Sequence, residues 1–132
     1  MRTYALLLAL AAALPACAAA EARGATVVTL DVRWSKFSEN VVTVRRGVPV
    51  RFVVRNDDPI DHELIVGDLG LQERHEKGTE PAHADRPGEV SVAPGQTVET
   101  TVTFDRPGTA YFACHLPGHY GYGMRGIVHV AA

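Results

Sequence analysis

The sequence predicts an all-β domain, a Greek-key sandwich of about eight short strands, and three observations carry that reading. Apolar residues recur with a period of two over most of the chain from Thr26 onward. Clusters such as "NDDP", "APGQ" and "RPG" interrupt the alternation as turns. The roughly 110 residues after the N-terminal segment suffice for one modest core, and no repeat or low-complexity linker divides them.

The first segment stands apart from the domain. "MRTYALLLALAAALPACAAAEA" has an early Arg, an apolar run from Ala5 to Leu14 and then small residues. That is the layout of a secretory signal peptide over residues 1–22, and the run is too short for a membrane span. Cleavage after Ala18, Ala20 or Ala22 leaves a single domain over 23–132. Read instead as a lipobox, "LPAC" makes Cys17 an acylated anchor, although Pro15 is unusual there. Either reading places the protein in the periplasm or otherwise outside the cytoplasm.

The strands follow in order. Val28, Leu30, Val32 and Trp34 point one way while Thr29, Asp31 and Arg33 point the other. A short strand at 41–45 comes next. Then Val48, Val50, Phe52 and Val54 alternate with Pro49, Arg51 and Arg55. Residues 62–66 form a short apolar strand opened by His62. The connection over 67–88 is long for a compact domain, and two helical turns over Leu71 to Lys77 fit its start. Strands at 89–93, 97–104, 109–114 and 126–131 complete the set; His129 lies out of phase with Val128 and Val130 and faces solvent.

Charge and cysteine usage narrow the function. A net charge of −2 with no basic run gives no footprint for nucleic acid. If Cys17 leaves with the leader, Cys114 is the only cysteine of the mature chain, and an internal disulfide is excluded. Its surroundings, "ACHLPGHYGYGM" at 113–124, argue against a buried thiol that serves only packing. Cys114, His119 and Met124 supply a thiolate, an imidazole and a thioether, a soft set that suits copper in two oxidation states. Zinc is the competitor, but its structural sites use four strong Cys or His ligands, and Met is a poor one. His62, after the turn "NDDPID", is the candidate for a second nitrogen, against the plainer reading of a turn histidine.

The chain resembles the cupredoxins, small blue copper proteins such as plastocyanin, azurin and rusticyanin. The likeness runs from 26 to 131 through "TVRRGVPVRFVVRN", "DHELIV" and "FACHLPGHYGYGM". "C-x-x-P-G-H" at Cys114–His119 is similar to the azurin ligand loop, and the longer step to Met124 is closer to rusticyanin and the blue site of multicopper oxidases. The resemblance implies one type 1 copper held by His62, Cys114 and His119, with Met124 as weak axial ligand. It implies a monomeric one-electron carrier that meets redox partner proteins transiently near His119, amid Leu116, Pro117, Tyr120 and Tyr122. These four side chains form either an apolar collar or plain loop packing.

Two departures from the family pattern stand out. Glu63 occupies the position where many cupredoxins place an Asn that ties the ligand loops together, and the long connection carries His75 and His83. Copper storage, delivery or resistance is the rival function, with His75, His83, His115, Glu63, Glu73, Glu76 and Glu80 as material for a second metal site. Catalysis of the multicopper-oxidase kind is not expected. Position 113 is Ala, so no His-Cys-His triplet exists, and the chain has no His-x-His pair.

Overall fold

The computed structural model describes residues 24–78 and 86–132. The expected leader with Cys17, and Glu80 and His83 in the long connection, lie outside the described residues. Those residues form nine strands and one helix. The strands are β1 (Thr26–Arg33), β2 (Lys36–Phe37), β3 (Val41–Arg45), β4 (Pro49–Asn56), β5 (His62–Gly67), β6 (Glu89–Val92), β7 (Thr97–Thr103), β8 (Gly108–Ala113) and β9 (Arg125–Ala131), with α1 (Leu69–Glu76) between β5 and β6. Every strand read from the alternation is present. The addition is β2, two residues long and too short to show a period.

Two sheets face each other, one ordered β2-β1-β4-β7 and the other β3-β9-β8-β5-β6. β1 with β4 and β3 with β9 pair in parallel, and all other pairs are antiparallel. The inward phases meet in one core: Leu30, Val32, Phe52 and Val54 from one sheet, Leu64, Val66, Phe112 and Val128 from the other. Each is at most 3% exposed, and on the order of 1.5–3 kcal/mol accompanies full burial of such a side chain.

Trp34 corrects the phase expected for the first strand. It is 83% exposed rather than inward. The chain leaves β1 at Arg33, and Trp34 and Ser35 take positive φ values of 56° and 52° to turn into β2. Once the backbone turns, alternation no longer decides which way a side chain points.

β5 is buried from His62 through Val66, on both faces. Leu64 and Val66 enter the core, while the outer face of the sheet is covered by α1. The helix starts on Asp68, whose Oδ1 accepts the Leu71 N–H at 2.8 Å. Its buried residues are Gln72 and His75. It therefore docks through polar groups, with Gln72 Nε2 donating to the Ile65 and Tyr111 carbonyls at 3.2 and 3.3 Å.

Candidate metal centre

The turn between β4 and β5 sets the first candidate ligand. Asn56 Nδ2 donates to the Ile60 and Val92 carbonyls at 2.8 and 3.0 Å, and its Oδ1 accepts the Asp58 N–H at 2.9 Å. His62 then opens β5 in phase with Leu64 and Val66, so its ring enters the end of the core and is 1% exposed. His62 Nε2 lies 3.0 Å from Asp58 Oδ2. An ionised carboxylate only accepts, so Nε2 is the donor and Nδ1 presents its lone pair. That Nδ1 is buried without a hydrogen-bond partner among the described residues. A buried nitrogen left without a partner costs about 1–3 kcal/mol, and a bound cation would offset that cost. Burial alone would push the Asp58 carboxyl up, but the Ser35 and Trp34 N–H groups and the His62 ring together hold it below the ordinary carboxylate range.

The loop between β8 and β9 sets the other candidates. Cys114 follows directly on β8 and is fully buried; its N–H donates to the Met124 carbonyl at 3.0 Å. The Met124 N–H donates to the His119 carbonyl at 3.1 Å, and the His119 N–H to that of Leu116 at 2.9 Å. Gly118 allows the tight return, with φ of 87° and the Tyr122 ring 3.3 Å from where a Cβ would stand. This folding places Cys114 Sγ 3.3 Å from His119 Nδ1. The Met124 side chain is fully buried in the core cluster beside them.

Burial and neighbouring charges shift Cys114 and His119 in opposite directions. Burial pushes the Cys114 thiol up to about 11; the backbone N–H groups of Leu116 and Glu63 oppose that rise, and the Glu63 carboxylate adds to it. Burial and the neighbouring His62 lower the His119 imidazole, against Glu63 and Asp58, which raise it. The donor atoms of His62, Cys114 and His119 all lie within 4.8 Å of one another, and no other triplet of His, Cys, Asp or Glu converges in this way among the described residues. One thiolate and two imidazoles fit copper chemically, and the buried thioether of Met124 suits a weak further contact.

Glu63, the departure from the family pattern, makes the tie itself. It is 4% exposed, and its Oε1 accepts the His115 N–H at 2.8 Å, joining β5 to the Cys114 loop. A carboxylate replaces the amide without losing the bridge. His115 packs outward from the metal cluster: Nδ1 meets Glu76 Oε2 and Nε2 meets Gln72 Oε1, both at 2.8 Å. Its ring stacks on Tyr120 at 4.9 Å, and the Arg125 guanidinium caps Tyr120 at 4.7 Å. His75 Nδ1 bonds the Leu71 carbonyl at 3.0 Å, and Nε2 faces Glu89 Oε2 at 3.4 Å. His75 and His115 thus fasten α1; no second group of three His, Cys, Asp or Glu converges among the described residues, and Glu73 is exposed. Tyr120 and the half-buried Leu116 belong to loop packing; Pro117 and Tyr122 are exposed beside His119. Sequence reasoning missed Asp58, for which the signal was an acid four residues before the candidate His.

Comparison with known proteins places residues 25–131 in the family model described as copper binding proteins, plastocyanin/azurin family. The chain is 38% identical over 118 residues to the copper-resistant cuproprotein CopI of Rubrivivax gelatinosus, covering 86% of this chain and 70% of that one. It is 30% identical over 144 residues to CopI of Pseudomonas aeruginosa, covering 85% and 78%. Among solved structures, the dithionite-reduced auracyanin of Roseiflexus castenholzii aligns with a TM-score of 0.69 at 23% identity, over 83% of this chain and all of that one. Auracyanin A, a blue copper protein of Chloroflexus aurantiacus, gives 0.66 at 22% identity, over 82% of this chain and 100% of that one. At those identities the structures speak for the fold, which is cupredoxin-like.

Proposed function

Because this chain belongs to the plastocyanin/azurin family of copper-binding proteins, we propose that it is an exported type 1 copper protein that carries single electrons between redox partners. His62, Cys114 and His119 are its equatorial ligands and Met124 its weak axial one. The observation that supports this most is the buried triplet itself: donor atoms within 4.8 Å, with Nδ1 of His62 given no hydrogen bond among the described residues. Copper bound there supplies a one-electron couple between Cu(II) and Cu(I).

The chain contributes rigidity, dryness and access. β5 and the closed loop between β8 and β9 fix the ligands before metal arrives, so little rearrangement accompanies a change of charge. His62, Cys114 and Met124 are at most 1% exposed, which excludes water and leaves no room for a substrate. His119 alone of the four is partly exposed, so its ring edge is the contact through which an electron leaves. Partners meet it near Pro117 and Tyr122, in small and short-lived contacts. No helix among the described residues is long and apolar enough to cross a membrane, and export is assigned to the leader over 1–22.

Copper resistance is the second reading, favoured by the names of the two relatives at 38% and 30% identity. Electron self-exchange between oxidised and reduced copies, followed by NMR line broadening, separates the two. A carrier exchanges electrons fast and keeps its copper on reduction. Release of copper on reduction, or a changed ligand set, would instead make the chain a copper-delivery protein.

A further inference from the structure

We infer that Asp58 is a positioning residue for His62: one buried carboxylate aims the metal-binding nitrogen of the ring and ties it to the exposed Trp34–Ser35 turn. This rests on the reading of His62 as a copper ligand. Asp58 is 7% exposed and accepts three hydrogen bonds. Oδ1 takes the Trp34 N–H at 2.7 Å; Oδ2 takes the Ser35 N–H at 2.7 Å and His62 Nε2 at 3.0 Å. The Asp58 N–H is itself held by Asn56 Oδ1 at 2.9 Å. A carboxylate held by two backbone N–H groups, on a backbone N–H that Asn56 pins, cannot follow a rotating ring, so the ring follows it, and Nδ1 stays turned toward Cys114 and His119.

The turn it holds is strained. Trp34 and Ser35 are the only non-glycine residues with positive φ among the described residues. Each left-handed residue costs roughly 1–2 kcal/mol, and the two N–H bonds to Asp58 offset that cost. The carboxylate therefore serves two masters, the turn and the ligand, and the two effects must be separated to test either.

Its effect on the ligand has a sign. A negative charge hydrogen-bonded behind an imidazole raises the basicity of the opposite nitrogen, which favours the more highly charged metal ion. Loss of such a partner typically lowers metal affinity by about 10–100-fold. A tenfold loss specific to Cu(II) raises the one-electron potential by about 59 mV.

The test uses a Trp34→Gly/Ser35→Gly background, which removes the left-handed strain at 34–35, so that Asp58→Asn in it and the background alone differ only in the carboxylate. The proposal predicts a lowered Cu(II) affinity, by about 10–100-fold, and a raised potential while the blue band persists. In the metal-free protein, ¹⁵N shifts of the His62 ring should change from the Nε2–H form to a mixture of tautomers. A merely structural role would move thermal stability alone. Wild-type potential, Cu(II) affinity and ring shifts in the folded variant would overturn the inference. His62→Gly is the separate control: a blue band that survives it would instead overturn the assignment of His62 as ligand.

Discussion

Raising the pH of the metal-free protein titrates a thiol that the fold keeps protonated. Cys114 is fully buried, and burial outweighs the two backbone N–H groups that favour its thiolate, moving it from 9.0 to about 11. The folded value lies above the unfolded one. The associated stability is therefore complete below pH 9.0 and is lost as pH rises to about 11. The two units between those values correspond to about 3 kcal/mol, a slope of roughly 1.4 kcal/mol per pH unit. Urea unfolding of metal-free wild type and Cys114→Ala across that range reads the effect as the difference between the two proteins, which cancels other alkaline titrations. Alkylation gives a second reading. At about pH 8 the thiolate fraction is on the order of one in a thousand when folded and one in ten when unfolded, so iodoacetamide should react about 100-fold more slowly with the native chain. Parallel stability curves for the two proteins, or an alkylation midpoint at 9.0 or below, would refute this reasoning.

The remaining predictions concern the frame, the ligands and the leader. Glu63→Ala strands the His115 N–H and should cost about 1–3 kcal/mol in chemical denaturation, whereas Glu63→Gln keeps an acceptor there and should cost less. At Gly126 a Cβ would run into the Phe112 ring and stand 2.7 Å from the Asn40 carbonyl oxygen, so Gly126→Ala should destabilise the fold by about 1–3 kcal/mol, read as a lower urea midpoint at unchanged m. Met124→Leu should keep the blue colour and raise the reduction potential, while Met124→Gln should lower it; unchanged voltammetry in both would remove Met124 from the ligand set. Mass spectrometry of the exported protein should find an N-terminus just after Ala18, Ala20 or Ala22, and an intact Met1 or an acylated Cys17 would reject soluble export.

Period-two alternation was a sound guide wherever one face of a strand met the core, as at Leu30, Val32, Phe52, Val54 and Val128. It failed at Trp34 because a left-handed turn intervenes, and backbone reversal leaves no hydropathy signal. The helix was legible only as a short polar stretch: its buried face is Gln72 and His75, so no 3.6-residue apolar stripe marks its bounds. The Cys114, His119 and Met124 spacing was readable because one loop carries all three, and the structure closes that loop on itself through backbone bonds. His62 was readable as a histidine that opens an apolar strand after the turn "NDDPID", but its distance along the chain from Cys114 left their meeting to the fold. What lay beyond the sequence was the polar network around these residues. Asp58 on His62, Glu63 on the His115 N–H and Gln72 on the β5 and β8 carbonyls are pairings across the fold, with no period or spacing of their own.

Titration of Cu(II) into the metal-free protein, followed by visible absorption and EPR, tests the central claim most directly. The account predicts an intense blue thiolate-to-copper band that saturates at one copper per chain and is absent in Cys114→Ala. A colourless protein, or a band that survives Cys114→Ala, would contradict it.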